Sequence, residues 1–388
     1  MNPMEKPRIL IAPGPYKECL NSFEVANAMR KGVQEALPQA KILFRPMTDG
    51  GTGLTKLLTE VSGGKIERVT IMGPLGDTTE SYYGILNDGK TAIVESAAAI
   101  GLSLVPKEKR NPLFTSTFGV GQLIRKAKEA GVKEIIVGCG DSSTNDAGIG
   151  CAAALGVKFF VQNSSAPLKF PTGLNLKDIV KIDSEDAARE LNGIKITIAC
   201  NLTSVLCGSE GTSRIYGPQK GATPEIVDVL HDGVEKFAEL LYQDRKIDVA
   251  FVPGAGGSGG LAASLYALFG AQIVYSMDVL NKYINLGEYL VGTDLVLTGE
   301  GTIDDRTATG KVACGVALLA KRYDLPVVAI VGNIAQDSED VFYNGIDAVE
   351  AISEGPITLE ESIKNAPELI RRATIRVMRF YSKFSETK

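Results

Sequence analysis

The stretch DLVLTGEGTIDDRTATGK, residues 294–311, decides the fold class. Its start, 294–298, is a short and largely apolar run with β-branched side chains, which predicts a buried strand. Gly299 and Gly301 end that run, and apolar residues recur at helical spacing from Lys311 onward. A strand, a glycine-rich turn and a helix form the usual anion site of α/β proteins. The helix start there offers unpaired N–H groups and the positive end of its dipole.

This turn also carries the residue types that phosphoryl transfer uses. Glu300 and Asp304 have the hard oxygen ligands that Mg²⁺ prefers, and Lys311 can neutralise a phosphate. Phosphoryl transfer depends mostly on positioning and charge neutralisation, so the combination favours a kinase. The same residues also fit a well-capped turn with solvated charges, and this stretch alone leaves both interpretations open.

Composition narrows the class of protein. The chain has 388 residues, enough for two domains, with 44% hydrophobic and 22% charged residues. A net charge of −5 argues against general nucleic-acid binding. The six cysteines show no C-x-x-C spacing, which predicts reduced thiols and a cytoplasmic protein. The first residues are too few and too charged for a signal peptide.

Two further features exclude whole kinds of site. His231 is the single histidine, which removes histidine-based triads and most zinc chemistry. Residues 249–277 carry no charge but contain Pro253 and several glycines, so we predict no membrane span there. Neither nucleic acid nor a membrane is therefore an expected partner; a small molecule is, and a homo-oligomer is compatible with the sequence.

The order of strand, turn and helix along the chain predicts parallel strands with helical crossovers. A hairpin at 82–86 and 91–94 interrupts this order and indicates a second domain. The other predicted strands lie at 8–12, 42–46, 134–137, 195–199, 250–252, 271–275, 294–298 and 327–331. The predicted helices lie at 22–37, 54–61, 119–130, 223–242, 359–365 and 367–384.

A second glycine-rich segment, residues 254–260, matches the dinucleotide motif G-x-G-x-x-G after a predicted strand. Asp278 follows a second strand at the distance that motif requires, so an NAD-linked oxidoreductase is one hypothesis. No histidine and no Tyr-x-x-x-Lys pair for hydride chemistry follows this motif in the sequence, which counts against the hypothesis. A general anion-binding nest explains the glycines equally well.

Other polar residues follow predicted strands. The run 142–146, Ser-Ser-Thr-Asn-Asp, has more polar side chains than one helix cap needs and predicts a site for a small polar ligand. Asp49 lies beside two glycines and is either a turn former or a functional acid. Lys17, in a Pro/Gly loop, is either a phosphate clamp or a solvated lysine.

Eight motifs in fixed order resemble the bacterial glycerate kinase family with two α/β domains, over about residues 8–380. The resemblance implies ATP- and Mg²⁺-dependent phosphorylation of glycerate, usually to 2-phosphoglycerate. These motifs are AP-x-x-x-K (12–17), M-x-DGG-x-G (47–53), ESAAAIGL (95–102), NPLFTSTFGVGQLI (111–124), STNDAGIG (143–150), GPQKGATPE (217–225), GAGGSGGL (254–261) and TGEG-x-ID…T-x-x-GK (298–311).

The resemblance further implies a Rossmann-like parallel-sheet domain interrupted by a flavodoxin-like α/β domain, with the active site in the cleft between them. We assign residues 1–75 and 285–388 to the first domain and residues 76–284 to the inserted one.

The resemblance also suggests roles for individual residues. Lys17, Lys220 and Lys311 would neutralise phosphates, and Asp49 or Asp146 would orient or deprotonate the acceptor hydroxyl. Asn201 stands where a possible general base, an Asp, is usual. The expected metal ligands are Glu300 and Asp304. The expected substrate-binding residues are Ser142, Thr144, Asn145, Glu95 and Gln219. The expected nucleotide-binding residues are Gly254, Gly256, Gly257, Gly259, Gly299, Gly301, Thr307, Gly310 and Lys311.

Several residues depart from the family pattern at positions where charged groups would hold substrate or metal. They are Gly14, Pro15, Thr52, Asp141, Asn201, Thr302 and Arg306. Two alternatives therefore stay open. One is a kinase for another small hydroxylated metabolite, and the other is a non-catalytic protein that binds a metabolite or nucleotide and regulates a process.

Overall fold

A computed structural model describes residues 6–304, 307 and 311–385. The chain divides into two compact units. Unit 1 comprises Met1–Asp49 and Leu280–Lys388, and unit 2 comprises Gly50–Val279. Within the described ranges, none of the helices combines the length and the apolar character needed to cross a bilayer.

The strands of the described residues are, in chain order, β1 Arg8–Ile11, β2 Lys41–Phe44, β3 Lys65–Met72, β4 Thr78–Ile85, β5 Thr91–Glu95, β6 Glu134–Gly138, β7 Lys158–Val161, β8 Ile179–Asp183, β9 Lys195–Cys200, β10 Gln272–Tyr275, β11 Leu295–Thr298, β12 Thr302–Ile303, β13 Val327–Val331, β14 Asn333–Ile334 and β15 Ala348–Ala351.

The helices of the same residues are α1 Ser22–Ala36, α2 Leu54–Ser62, α3 Ser96–Ile100, α4 Phe118–Glu129, α5 Ile149–Ala154, α6 Glu185–Glu190, α7 Thr212–Tyr216, α8 Pro224–Arg245, α9 Gly257–Phe269, α10 Ser276–Ile284, α11 Leu286–Leu290, α12 Val312–Lys321, α13 Asp340–Tyr343 and α14 Leu359–Ser385. Asn21 caps α1 with the capping box that its spacing to Glu24 predicts.

Unit 1 is built on a parallel sheet of order β15-β13-β11-β1-β2. The central strands β1 and β11 are wholly apolar apart from their ends, as expected for strands covered on both faces. Helices α1 and α14 pack together on this sheet, with Met29, Ile370 and Met378 in a common core. The strands near both ends of the chain thus share one sheet.

Unit 2 is built on a mixed sheet of order β10-β9-β6-β5-β4-β3. Strands β5, β6, β9 and β10 are parallel, whereas β4 pairs antiparallel with both β3 and β5. The hairpin that the sequence predicts is therefore β4–β5. A smaller antiparallel pair, β7–β8, packs with α8 around Phe159 and Phe237.

The structure divides the chain between residues 49 and 50, whereas we predicted a boundary at residue 75. Strand β3 pairs with β4 along its full length, from Lys65 opposite Ile85 to Met72 opposite Thr78. Helix α2 packs on the same sheet, so residues 50–75 lie in unit 2. At the other end, residues 280–284 lie in unit 1.

Two predicted elements differ from the structure. Residues 250–252 form turns instead of a strand, with the Ala250 N–H bonded to Asp248 Oδ1 at 3.0 Å. The two C-terminal helices are one helix, α14, that continues through Pro367. Proline lacks the N–H that would bond the carbonyl of Ile363. The Cys19 thiol donates to that carbonyl at 3.7 Å instead, which satisfies the acceptor.

Candidate active site

The sheet order of unit 1 creates a crevice between two loops. The chain runs from β1 to β2 on one side of β1, whereas β11, β13 and β15 follow on the other side. In parallel α/β sheets, ligands bind at the carboxyl ends of the strands where the order reverses in this way. The loops after β1 and β11 lie at that point, joined by the Gly14 N–H to the Gly299 carbonyl at 2.8 Å.

Two glycines lie where the loop after β11 meets its neighbours. A Cβ atom on Gly299 would lie 1.9 Å from the carbonyl oxygen of Ile330 in β13, so only glycine fits there. A Cβ on Gly301 would lie 3.4 Å from Cα of Tyr16 and 3.6 Å from N of Lys17, which is ordinary contact. The backbone of Gly301 therefore lies beside that of Tyr16 and Lys17, although these residues are far apart in sequence.

Lys17 and Asp49 form an ion pair at the edge of this crevice. Lys17 Nζ lies 2.8 Å from Asp49 Oδ2, and their side chains are 52% and 20% exposed. Asp49 follows β2 in the chain, as Lys17 follows β1. Both side chains keep access to solvent, so the pair is open to a ligand.

A second charged group follows β11. Lys311 Nζ lies 2.7 Å from Asp304 Oδ1 and 3.9 Å from Glu300 Oε2. Asp304 Oδ1 also accepts from the N–H and the hydroxyl of Thr307, at 3.0 and 3.1 Å. Glu300, Asp304, Thr307 and Lys311 are thus brought together as the sequence predicts. Gly310, a predicted nucleotide contact, lies outside the described residues.

Glu300 and Asp304 are both buried, at 9% and 8% exposed. Glu300 has a strongly shifted pKa. Burial raises its pKa to about 7, with Asp304 and Asp49 acting in the same direction and Lys311 opposing them. Its Oε1 atom is buried with no hydrogen-bond partner among the residues that the structure describes. An unpaired buried carboxylate oxygen is costly, and a bound cation would satisfy it.

Sequence reasoning missed Tyr16 in this site. Its hydroxyl donates to the Ile330 carbonyl at 2.8 Å, and the ring is buried. Burial raises the pKa of Tyr16 well above its usual range, and the nearby charge of Glu300 adds to this. Tyr16 therefore acts as a neutral wall of the crevice. Its position next to Lys17 in a Pro/Gly loop was the available signal.

In unit 2 the polar run after β6 is almost wholly buried. Asp146 accepts from the N–H and hydroxyl of Thr117, both at 2.8 Å, and from the N–H groups of Gly148 and Gly150 at 3.1 and 3.2 Å. Burial raises its pKa, and these hydrogen bonds oppose the rise. Three of these donors bind Oδ2 and one binds Oδ1, so Asp146 holds the starts of α4 and α5. The residue is fully buried, which favours a structural role over contact with an acceptor hydroxyl.

Lys220 lies beside the same loop. Its side chain is 3% exposed, and Nζ donates to Ser142 Oγ at 3.2 Å and to the Thr144 carbonyl at 2.6 Å. Burial lowers its pKa to about 8, against the attraction of Asp146. Asn145 is also buried and donates from Nδ2 to Ser213 Oγ at 2.8 Å. The structure thus brings Ser142, Thr144, Asn145 and Lys220 together.

The glycines at 254–260 mainly serve close packing inside unit 2. A Cβ on Gly259 would lie 2.0 Å from the Thr144 carbonyl, and one on Gly256 would lie 2.2 Å from the Val205 carbonyl. The N–H groups of Gly256, Gly257 and Gly259 all donate to backbone carbonyls within the unit. This geometry argues against phosphate binding by these N–H groups, and with it against the NAD hypothesis.

Ser258, which no motif singled out, lies within this segment in the left-handed region at φ 51°. Its hydroxyl lies 3.0 Å from that of Ser96. A left-handed conformation is strained for a residue with a side chain, and such strain is often found at functional sites.

Glu95 and Asp141 both bind the segment that leads into α2. Glu95 is 1% exposed, and its Oε2 accepts from the Thr55 N–H at 3.0 Å. Burial raises its pKa to about 7. Asp141 Oδ2 accepts from the N–H and hydroxyl of Thr52, at 3.1 and 2.9 Å. Glu95 therefore caps α2 through Oε2, and its contact with the substrate stays a prediction.

Asn201 and Gln219 are the last two predicted site residues, and neither takes part in the contacts described above. Asn201 follows β9, and its Oδ1 accepts from the N–H and the hydroxyl of Thr203, both at 3.1 Å. This is a local turn, so the side chain stabilises the loop. Gln219 is exposed, next to the buried Lys220.

A family model described as the glycerate kinase family matches residues 9–382. A glycerate kinase of Halalkalibacterium halodurans is 40% identical over 94% of this chain and 96% of its own length. A glycerate 2-kinase of Escherichia coli is 40% identical over 95% of this chain and 96% of its own. A crystal structure of a candidate glycerate kinase 2 from Salmonella typhimurium LT2 superposes with a TM-score of 0.78 at 38% identity, covering 98% of this chain and 100% of that one. Matches of this length and identity show that the chain belongs to the glycerate kinase family and is a phosphotransferase that acts on a hydroxyl group.

Proposed function

We propose that this protein transfers the terminal phosphate of ATP to glycerate and forms 2-phosphoglycerate. The observation that carries this proposal is the set of charged residues at the reversal point of unit 1: Lys17 with Asp49, and Lys311 with Glu300 and Asp304. The family indicates that ATP is the phosphate donor, and the names of the relatives indicate that glycerate is the acceptor. Position 2 follows from the name of the Escherichia coli relative.

In this proposal Lys17 and Lys311 neutralise the nucleotide phosphates. Both side chains retain exposure, at 52% and 22%. Lysine binds phosphate as a point charge, so these two contacts suit a polyphosphate that must bind and leave. The helix start of α12 directly follows Lys311 and adds its dipole.

Glu300 and Asp304 fit a magnesium ion. Both offer hard oxygen atoms, and Glu300 Oε1 is buried without a partner. No group of three or more metal-binding side chains occurs within the described part of the chain. Two carboxylates suffice, because Mg²⁺ in such enzymes takes its other ligands from phosphates and water. When bound, the ion would neutralise charge that develops on the transferred phosphate.

We assign the orientation of the acceptor hydroxyl to Asp49. Its side chain is 20% exposed and lies 2.8 Å from Lys17 Nζ, so the carboxylate lies at the crevice with access to solvent. Asp146 is enclosed by four donors and is assigned a structural role.

The test is ADP release measured with a panel of small hydroxy acids, with the product's phosphorylated carbon located by ³¹P–¹H NMR. We expect Mg²⁺-dependent turnover of glycerate and phosphorylation at carbon 2. If another hydroxy acid is phosphorylated and glycerate is not, that acid replaces glycerate as the acceptor in this proposal. Binding of ATP and glycerate without turnover would support the regulatory alternative.

A further inference from the structure

The segment that carries Glu300 and Asp304 is itself part of a small parallel sheet in unit 1. Strand β12 lies between the two carboxylates, and it pairs with β14 in the loop that follows β13. Three backbone N–H groups of that loop donate to carbonyls of the segment. The bonds run from Gly332 to Glu300, from Asn333 to Gly301 and from Ala335 to Ile303, at 3.3, 3.0 and 2.9 Å. The loop after β13 therefore fixes the backbone between the two candidate metal ligands.

Gly332 fits this pairing because it lacks a side chain. A Cβ atom at this position would lie 2.5 Å from the carbonyl oxygen of Gly301, closer than a Cβ atom can approach an oxygen. The φ angle of Gly332 lies outside the positive range that favours glycine, so the close approach alone excludes a side chain. Gly332 thus lets β14 lie directly against the segment that carries Glu300.

The pairing of β12 with β14 contributes little to the apolar core. Of the four side chains in the two strands, only that of Ile303 is buried, and those of Thr302, Asn333 and Ile334 are exposed. A pair of two-residue strands is too short to be stable by itself. The pairing does fix the backbone conformation from Glu300 to Ile303, the residue before Asp304. Its position between two carboxylates indicates that it serves the site.

Mg²⁺ needs a more rigid site than Ca²⁺ does. Mg²⁺ takes octahedral coordination at about 2.0–2.1 Å, whereas Ca²⁺ accepts irregular coordination at about 2.3–2.6 Å. Carboxylates therefore favour Mg²⁺ only if their supports hold them within roughly 0.5 Å of the required positions. Hydrogen bonds to the backbone of the segment that carries the ligands provide such a support, as groups outside the ligands themselves commonly do.

We propose that the pairing of β12 with β14 positions Glu300 and Asp304 for Mg²⁺ and makes their site discriminate against Ca²⁺, and that the fit depends on Gly332. The inference rests on the magnesium ion of the proposed function. Gly332 acts through the backbone of Gly301 and is a positioning residue. All the contacts that carry this inference lie within unit 1.

The test uses Gly332→Ala, which adds one methyl group against the Gly301 carbonyl. Mn²⁺ alone is the probe, followed by electron paramagnetic resonance, and Mg²⁺ or Ca²⁺ is added to displace it. We expect Mg²⁺ binding to weaken by about 10–100-fold and Ca²⁺ binding by no more than about threefold, because Ca²⁺ tolerates the altered spacing. In turnover assays the variant should need correspondingly more Mg²⁺, while the KM for glycerate changes by at most about threefold.

Gly355→Ala is the matched control. Gly355 lies in the same unit and has no positive φ, and nothing lies within 4 Å of its Cβ position. This variant should bind both cations as wild type does.

Circular dichroism checks that Gly332→Ala folds. If it does not fold, Ala335→Pro decides the matter. Proline removes the N–H that binds the Ile303 carbonyl, and the preceding residue, Ile334, lies in a strand, the conformation that proline favours before it. Ala335→Pro should lower the preference for Mg²⁺ over Ca²⁺ in the same direction.

Cation binding separates this inference from the proposed function. If wild type phosphorylates glycerate and Gly332→Ala keeps the wild-type preference for Mg²⁺ over Ca²⁺, the inference is wrong and the proposed function stands. Equal weakening of both cations, or a wild type that binds no Mn²⁺, overturns the inference as well. If wild type does not phosphorylate glycerate but Gly332→Ala loses the preference for Mg²⁺, the proposed function is wrong and the inference stands.

Discussion

Lys311 Nζ lies 2.7 Å from Asp304 Oδ1 and 3.9 Å from Glu300 Oε2, so one ammonium lies beside two carboxylates at the end of β11. If the proposed magnesium ion binds these carboxylates, it would compete with Lys311 for Asp304 and would leave Lys311 able to bind a phosphate. Metal binding and nucleotide binding would then be coupled through the Lys311 side chain.

Glu300→Gln and Asp304→Asn should each lower kcat by about 10²-fold or more. Each change keeps the volume of the side chain and removes a negative charge that a divalent cation needs. Mn²⁺ binding, followed by electron paramagnetic resonance, should weaken in parallel with turnover. Asp347→Asn is the control, because Asp347 pairs with Lys321 at 2.5 Å on the surface of the same unit. Variants with wild-type turnover and unchanged metal dependence would mean that these acids only form the turn.

Asp49→Asn should lower activity, whereas Asp146→Asn should lower stability. Asp49 is partly exposed beside Lys17, so its loss should lower kcat by about 10²–10⁴-fold with little change in stability. Asn at 146 would turn an NH₂ group toward backbone donors, which should destabilise the fold by roughly 3 kcal/mol. Urea unfolding and steady-state kinetics on both variants measure the difference. A stable Asp146→Asn protein without activity would reverse the two assignments.

Glu95 should make stability depend on pH. Burial raises its pKa from 4.5 to about 7, so the folded state binds the proton more tightly than the unfolded state. The stability that this proton provides is complete below pH 4.5 and is lost as the pH rises through 7. The loss amounts to roughly 3 kcal/mol.

Glu95→Gln keeps the acceptor for the Thr55 N–H and removes this titration. Its free energy of unfolding, relative to wild type, should therefore increase between pH 5 and pH 8. The exposed Glu185 offers the control, since Glu185→Gln should show no such trend. A constant difference between Glu95→Gln and wild type over this range would show that Glu95 does not titrate there.

Gly259→Ala should destabilise unit 2 even without ligand. The new methyl group would lie 2.0 Å from the Thr144 carbonyl, which forces the backbone to move and costs roughly 3 kcal/mol or more. Gly270→Ala is the matched control: Gly270 also has a positive φ, 67°, but nothing lies within 4 Å of its Cβ position. That variant should lose only about 1–2 kcal/mol. Equal losses in thermal unfolding would mean that contact with Thr144 is unimportant.

Local sequence patterns predicted most helices and strands correctly, and the wrong predictions have physical causes. The capping box at Asn21 and the apolar run of β11 depend on neighbouring residues only, and both appear as predicted. Pro367 should end a helix by the same local rules. It does not, because Cys19, from a distant part of the chain, satisfies the carbonyl that Pro367 leaves without a donor.

The grouping of Glu300, Asp304 and Lys311 was visible in the sequence because the three residues follow one strand and lie within one turn. Their neighbour Lys17 was not assignable to the same crevice, since only the position of β11 beside β1 brings the two loops together. In the sequence, Asp49 and Asp146 are both acids near glycines. Only the structure separates them, because Asp146 is fully buried whereas Asp49 is partly exposed. The role of Lys220 likewise depends on burial, which no local pattern encodes. The sequence by itself determined which chemical groups occur at strand ends, because that follows from nearest neighbours. Tertiary structure decided which of them are paired, enclosed or open to a ligand, because pairing and desolvation arise from contacts between distant segments.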